Sequence, residues 1–227
     1  MLNANIHYLL AHNASLTDTL LTKLNISIDE LHAMDNSSAT GNQLLIVEKY
    51  SNVTIHALLT INLALRHTLT TTIKMLILDV DGVMTNGGMY YSESGDEFKR
   101  FNTKDGYAIR ELTKQGYEVG IISNGKNINL ITQRATLLGI KNVYVGTADK
   151  LEILNQWCAT LNIALHEVAH IGDDLNDLNI MRAVSFSACP ADACLTIKNT
   201  ANVTLTTNGG YGCIREFYDK YLTQTTH

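Results

Sequence analysis

The chain has 227 residues, 45% of them apolar and 17% charged, with a formal net charge of −5. That length suits one large domain, or one domain with a smaller appendage, and the composition supplies a core without the apolar depletion that marks disorder. The acidic balance excludes an extended basic footprint for nucleic acid or an anionic membrane, so an anionic substrate would have to meet local cations.

Met1 to Ser15 lacks the basic start and pure apolar stretch of a leader, and no apolar run approaches the roughly 18 residues of a membrane span; the expected location is cytoplasmic. Up to Thr72 the signals are helical. Ser15-Leu16-Thr17-Asp18 and Ser27-Ile28-Asp29-Glu30 read as capping boxes, in which a hydroxyl and an acid three residues later satisfy each other's orphan N–H groups. Asp35 to Asn42 reads as a loop. Gln43 to Tyr50 and Thr54 to Leu69 read as further helices, the second too apolar for free exposure. Residues 1–72 are therefore expected to form a helical N-terminal extension that serves oligomerisation or partner binding, and no motif in it suggests chemistry.

From Ile73 onward apolar strands alternate with helices, the pattern of a parallel sheet covered on both faces. Candidate strands are Ile73 to Val80, Tyr117 to Ile122, Asn142 to Val145, Val168 to Ile171, Ser185 to Ala188 and Val203 to Thr206. Helices are expected over Tyr107 to Lys114, Leu130 to Leu138, Leu151 to Leu161 and Leu178 to Ala183, with Gly116 and Gly139 as C-terminal stops. Met89-Tyr90-Tyr91 and Glu97 to Phe101, flanking Ser94-Gly95, mark a β-hairpin insertion. The expected fold class is α/β: a Rossmann-like three-layer α/β/α sandwich over residues 73–227, with a parallel sheet. Cys158, Cys189, Cys194 and Cys213 lack C-x-x-C or zinc spacing and read as reduced thiols; sequons such as Asn13-Ala14-Ser15 reflect the abundance of Asn and Thr.

In open α/β sheets ligands bind beyond the carboxyl ends of the strands. Here the first strand leads to Asp79 and Asp81, the second to Ser123, the third to Lys150 and the fourth to Gly172-Asp173-Asp174-Leu175-Asn176-Asp177. Several carboxylates at one sheet edge repel one another unless a cation binds, and oxygen-only ligands such as Asp79 and Asp173 point to Mg²⁺. Asp79 would be the nucleophile, Lys150 and Ser123 would hold phosphoryl oxygens, and Asp81, two residues on along an extended backbone, would act as acid and then base. Each signal alone has a plainer reading: a D-x-D in a loop, an acidic helix cap, a loop hydroxyl, a solvated lysine. Their occurrence in order, each after a strand, carries the case.

These four motifs resemble those of the haloacid dehalogenase superfamily of aspartyl-phosphate phosphatases. The resemblance implies Asp79 as nucleophile, Asp81 as acid/base, and Mg²⁺ held by the Asp79 carboxylate, the Asp81 backbone carbonyl and Asp173, with Asp174 and Asp177 as supports. Further stretches, Asp81 to Gly88, Phe98 to Gly106, Ala191-Asp192-Ala193 and Gly209 to Glu216, resemble the 3-deoxy-D-manno-octulosonate 8-phosphate phosphatase subfamily and its relatives acting on nine-carbon sialic-type acid phosphates. The spacing between motifs leaves no room for a cap domain, and a capless site needs another cover. In the resembling family that cover is a homotetramer with central hairpins, whose glycine-rich C-terminal segment reaches a neighbouring site. The resemblance further implies a place in lipopolysaccharide biosynthesis.

Lys99, Arg100, Lys104 and Arg215 are candidates to meet the carboxylate of a phosphorylated sugar acid, with Asn124 and Gly125 in the loop beside the phosphate. The loop Ser123-Asn124-Gly125-Lys126 departs from the Thr-Gly-Arg of octulosonate phosphatases, which leaves eight- and nine-carbon acids both open. Two rival readings stand beside this one: a receiver-type phosphoacceptor domain, disfavoured because Gly172-Asp173-Asp174 follows the lysine, and a non-catalytic module in which the fold only scaffolds binding.

Overall fold

The computed structural model describes residues 1–223, which divide into two compact units: Met1–Thr71 with the chain from Lys220, and Thr72–Asp219. Among the described residues no helix is long and apolar enough to cross a membrane.

The first unit is built from α1 (Leu2–His12), α2 (Ala14–Leu24), α3 (Ile28–Ala33), α4 (Gly41–Ser51), α5 (Ile55–Thr60) and α6 (Leu63–Thr72). Their apolar faces meet in a core that includes Leu2, Ile6, Leu20, Leu31, Val47 and Leu58. The box at Ser27 forms as expected, with Ser27 N donating to Glu30 Oε2 at 2.8 Å and Glu30 N to Ser27 Oγ at 3.2 Å. The box expected at Ser15 does not form. α2 starts two residues earlier, where Asn13 Oδ1 accepts from Leu16 N at 3.2 Å and Ser15 Oγ merely donates to that oxygen; asparagine caps as well as serine, and it comes first.

The helix expected over Thr54–Leu69 is two helices, broken at Ile61-Asn62. Buried Asn5, far away in sequence, takes over the backbone groups at the break. Its Nδ2 donates to the carbonyls of Leu58 at 2.9 Å and Ile61 at 2.6 Å, and its Oδ1 accepts from Leu63 N at 3.0 Å. Asn62 then caps α6 by accepting from Leu65 N at 3.0 Å. A long-range amide replaces the local ladder, which an apolar periodicity cannot reveal.

The second unit is the three-layer sandwich. In chain order it comprises β1 (Met75–Leu78), the hairpin β2 (Tyr90–Tyr91) and β3 (Glu97–Phe98), α7 (Thr103–Lys114), β4 (Glu118–Ser123), α8 (Ile128–Leu138), β5 (Asn142–Val145), α9 (Lys150–Leu161), β6 (Val168–Ile171), α10 (Leu178–Ala183), β7 (Phe186–Cys189), α11 (Leu195–Thr200), β8 (Val203–Thr204) and α12 (Cys213–Phe217). The short helices α11 and α12 were not anticipated. The six-stranded sheet runs β5-β4-β1-β6-β7-β8, all pairs parallel. All four residues of β1 are fully buried, as a central strand covered on both faces requires. Met75 and Ile77 share a core with Ile153 and Leu154 of α9 and Ile180 of α10, while the alternate residues Leu76 and Leu78 face the other layer. After β1 the chain builds outward to β4 and β5, then returns across β1 to add β6 to β8. That reversal opens a crevice beyond the carboxyl ends of β4, β1 and β6.

Candidate active site

β1 ends at Leu78, and Asp79 follows with its N–H still donating to Ile171 O of β6 at 3.1 Å. The chain then turns over Val80–Met84, with Asp81 at φ −82°, ψ 115° and Gly82 at φ 91°. Asp81 therefore reaches the same cavity as Asp79 through a turn, and not by the strand alternation that their spacing suggested. Gly82 is required twice over: its φ lies in the left-handed region, and a Cβ there would run into the Asp173 carboxylate. A Cβ on Gly209 would likewise collide with the Gly82 carbonyl.

Asp79, Asp81, Ser123, Asn124, Gly125, Asp173, Asp174, Leu175 and Asn176 line a cavity of about 420 Å³ at this sheet edge. Below it lies a buried ionic network. Lys150, the first residue of α9, sends its ammonium to Asp79 Oδ1 at 2.7 Å and Asp177 Oδ1 at 2.6 Å, with all three side chains at most 5% exposed. It is no solvated surface lysine. Asp177 Oδ2 also accepts the Asp173 backbone N–H at 3.0 Å, and His170 Nε2 lies 3.1 Å from Asp177 Oδ1.

Burial and the neighbouring Asp177 charge push the Asp79 carboxyl up to about 6 although Lys150 pulls it down. Burial, with the Asp79 charge next, pushes Asp173 up to about 8. Asp177 goes the other way: burial opposes its charge, but the bonds from His170 and Lys150 outweigh that and hold it below the usual carboxylate range. Asp79, Asp173 and Asp177 bring carboxylate oxygens within 4.8 Å of one another. Asp177 is already occupied by N–H donors, whereas Asp173 Oδ1 is buried with no hydrogen-bond partner. An orphaned carboxylate oxygen beside a second carboxylate, in an all-oxygen set, fits a hard divalent cation.

The remaining candidates scatter. Lys99, from the hairpin, places its ammonium 2.6 Å from Asp81 Oδ1 and 2.9 Å from Glu97 Oε1, with its side chain 6% exposed. Arg100 lies over the Tyr211 ring at 4.8 Å, Lys104 is exposed, and Arg215 binds Asp219 through Nε at 2.8 and 2.7 Å and covers Tyr107. None of these last three lines the cavity. Asp174 caps the turn after β6, accepting from Leu175 N at 2.8 Å. In the glycine-rich segment Gly210 N donates to Val83 O at 2.9 Å and Cys213 Sγ donates to the same oxygen at 3.3 Å.

Several participants escaped sequence reading. Glu97 shares Lys99 with Asp81, Thr85 Oγ1 donates to Asp81 Oδ1 at 3.3 Å, and Asn176 Nδ2 donates to Asn124 Oδ1 at 3.0 Å across the cavity mouth. Thr85 and Asn176 lie inside recognisable motifs and could have been found there. His170 sits in an apolar strand and gave no signal.

A family model described as haloacid dehalogenase-like hydrolase matches residues 139–215. The 3-deoxy-D-manno-octulosonate 8-phosphate phosphatase of Yersinia pestis is 41% identical over 150 residues, covering 66% of this chain and 80% of that protein. A crystal structure of the Yersinia pestis phosphatase superposes with a TM-score of 0.65 at 39% identity, covering 68% of this chain and 83% of the other. The Moraxella catarrhalis phosphatase of the same name, solved in complex with magnesium ion, phosphate ion and a KDO molecule, gives 0.65 at 30% identity over 68% of this chain and 91% of its own. Asp173 comes from β6, after the lysine, and the relatives are phosphatases, so the receiver reading falls. With its acids and lysine gathered at the carboxyl edge of a parallel sheet and these relatives around it, the chain belongs to the haloacid dehalogenase-like hydrolases, as a phosphatase resembling the octulosonate 8-phosphate subfamily.

Proposed function

We propose that this phosphatase is a Mg²⁺-dependent phosphomonoesterase that hydrolyses the 8-phosphate of a 3-deoxy-octulosonate-type sugar acid through an aspartyl phosphate on Asp79. The observation that carries the reading is the buried Asp79–Lys150–Asp177 network directly beneath a cavity walled by Asp81, Ser123 and Asp173. The Asp79 and Asp173 carboxylates, with the Asp81 carbonyl, would hold Mg²⁺, which neutralises these acids and draws charge from the phosphoryl oxygens.

Asp79 Oδ2, the oxygen not bonded to Lys150, attacks phosphorus; the ester P–O bond breaks and Asp81 delivers a proton to the leaving alkoxide. Asp81 then takes a proton from water as that water attacks phosphorus, which frees phosphate and restores the Asp79 carboxylate. Lys150 balances the charge that grows on the phosphoryl group. Ser123 Oγ already accepts from Gly125 N at 3.1 Å, so its own proton is left to donate to a phosphoryl oxygen. Lys99 bonds Asp81, which lines the cavity, and a sugar-acid carboxylate would draw it from Asp81, leaving Asp81 readier to carry the proton.

The exposed Met89, Tyr90, Tyr91 and Phe98 of the hairpin support association of copies into the tetramer that the resemblance implies. Four free thiols suit the reducing cytoplasm.

The test is steady-state kinetics with Mg²⁺ on octulosonate 8-phosphate, neuraminate-type 9-phosphates and hexose phosphates, for the native chain and Lys99→Ala. The sugar acids are expected to win by kcat/KM, and Lys99→Ala to erase most of that preference. Equal rates on hexose phosphates would sink the substrate assignment, and a lead for the nine-carbon acid would move it to that class.

A further inference from the structure

His170 lies on β6 with none of its surface exposed, in register with Ile77 of β1. Its Nδ1 is 3.1 Å from Ile77 O, and its Nε2 is 3.1 Å from Asp177 Oδ1. A carbonyl oxygen only accepts, so Nδ1 carries a proton. The Asp177 oxygen accepts from the Lys150 ammonium as well, and its carboxyl is held below the usual carboxylate range, so it is ionised and Nε2 also carries a proton. The ring is then an imidazolium, buried between the sheet and the site.

The charge count gives that state a purpose. Without His170, the single Lys150 ammonium would face both Asp79 and Asp177 in a buried pocket, and dividing one cation between two carboxylates leaves each under-compensated. With it, Asp177 has its own cation. Asp177 is the hub, because Oδ1 holds Lys150 against Asp79 while Oδ2 holds the Asp173 backbone N–H. We propose that His170 is a positioning residue of this phosphatase: anchored to the Ile77 carbonyl, its imidazolium fixes Asp177 so that one carboxylate sets both Lys150 and the Asp173 segment. The inference rests on the phosphatase reading for its consequence but not for its geometry.

Two measurements on the full chain test it. Heteronuclear NMR of the imidazole nitrogens at neutral pH with Mg²⁺ should show one ring protonated at both nitrogens, absent from His170→Phe; a neutral ring at this position would overturn the proposal. On p-nitrophenyl phosphate, His170→Phe, which keeps the ring volume and loses both bonds, should lower kcat about 10- to 100-fold, the usual effect of losing a group that orients a metal-site residue. KM should move less than about threefold, as expected when the loss is of transition-state alignment. In an Asp177→Asn background the same substitution should cost little more, since the residue acts through Asp177. A loss as large in that background as in the native one would make His170 a packing residue only. If the Phe variant does not fold, the NMR result on the native chain decides alone. A native chain inactive on every phosphate ester would defeat the functional reading and leave the imidazolium result standing.

Discussion

Both units of this molecule bury polar side chains, and they do so to opposite ends. In the helical unit Asn5 is 1% exposed, is neutral, and places its amide on the backbone of α5 and α6. In the sandwich Asp79, Lys150, His170 and Asp177 are at most 3% exposed and meet in one ionic network. A satisfied amide stabilises without raising any charge, whereas buried acids push one another toward protonation and are tolerated only with cations at hand. Buried polarity by itself is thus no sign of chemistry. The sign is a buried charge whose partners are other charges, with one oxygen, Asp173 Oδ1, left without a partner.

The comparison breaks most sharply at Asp79. Asp79→Asn keeps the shape and removes the nucleophile, so turnover should fall by on the order of 10⁴-fold or more while the fold persists. Single-turnover phosphate release checks this, and retained activity would return the acids at the sheet edge to a structural role. Lys150→Met comes next. It leaves Asp79 and Asp177 facing each other without their shared ammonium, and breaking a buried pair from one side costs about 3–5 kcal/mol. Urea unfolding of the sandwich should show that loss, and added Mg²⁺ should recover part of it by binding the folded state alone.

What the sequence disclosed of this site follows the range of the interactions involved. The acids and Ser123 were legible because a strand end and the residue after it are local signals, and a parallel sheet brings such ends to one edge. The α/β alternation was legible for the same reason. The burial of Lys150, the partnership of His170 with Asp177 and the break in the helix at Asn62 were not, because each depends on residues 27, 7 and 58 positions apart. The fates of Arg100, Lys104 and Arg215 were equally hidden: a basic residue near a motif carries no mark of whether its side chain faces the cavity, an aromatic ring or water.

Asn5→Ala probes the other side of the comparison. It strips partners from the Leu58 and Ile61 carbonyls and the Leu63 N–H inside the helical core, a loss of about 3 kcal/mol for several unsatisfied groups. Circular dichroism should show the helical unit melting earlier while kcat at low temperature stays unchanged. A fall in kcat equal to that of a site variant would show that the two kinds of burial are not separable.

The smallest expected effect tests a case between the two. Asp105 in the first turn of α7 is 2% exposed, far from neutral Asn5 in kind, yet it bonds mainly to backbone, accepting from Arg215 N at 2.8 Å while its Oδ2 has no partner. Burial pushes its carboxyl up to about 6, against backbone N–H groups and the Arg134 charge that pull it down. A folded pKa above the unfolded one means that the folded state holds the proton more tightly. Its contribution to stability is therefore full below about pH 4 and is lost as pH rises through about 6, by on the order of 3 kcal/mol. Asp105→Asn carries no such proton, so its urea midpoint should fall less than that of the native chain between pH 4 and pH 7, and the two curves should run parallel above that window. If the native chain instead gains stability across this window relative to the Asn variant, Asp105 is held ionised by its N–H donors and Arg134, and it belongs with the paired charges of the active site.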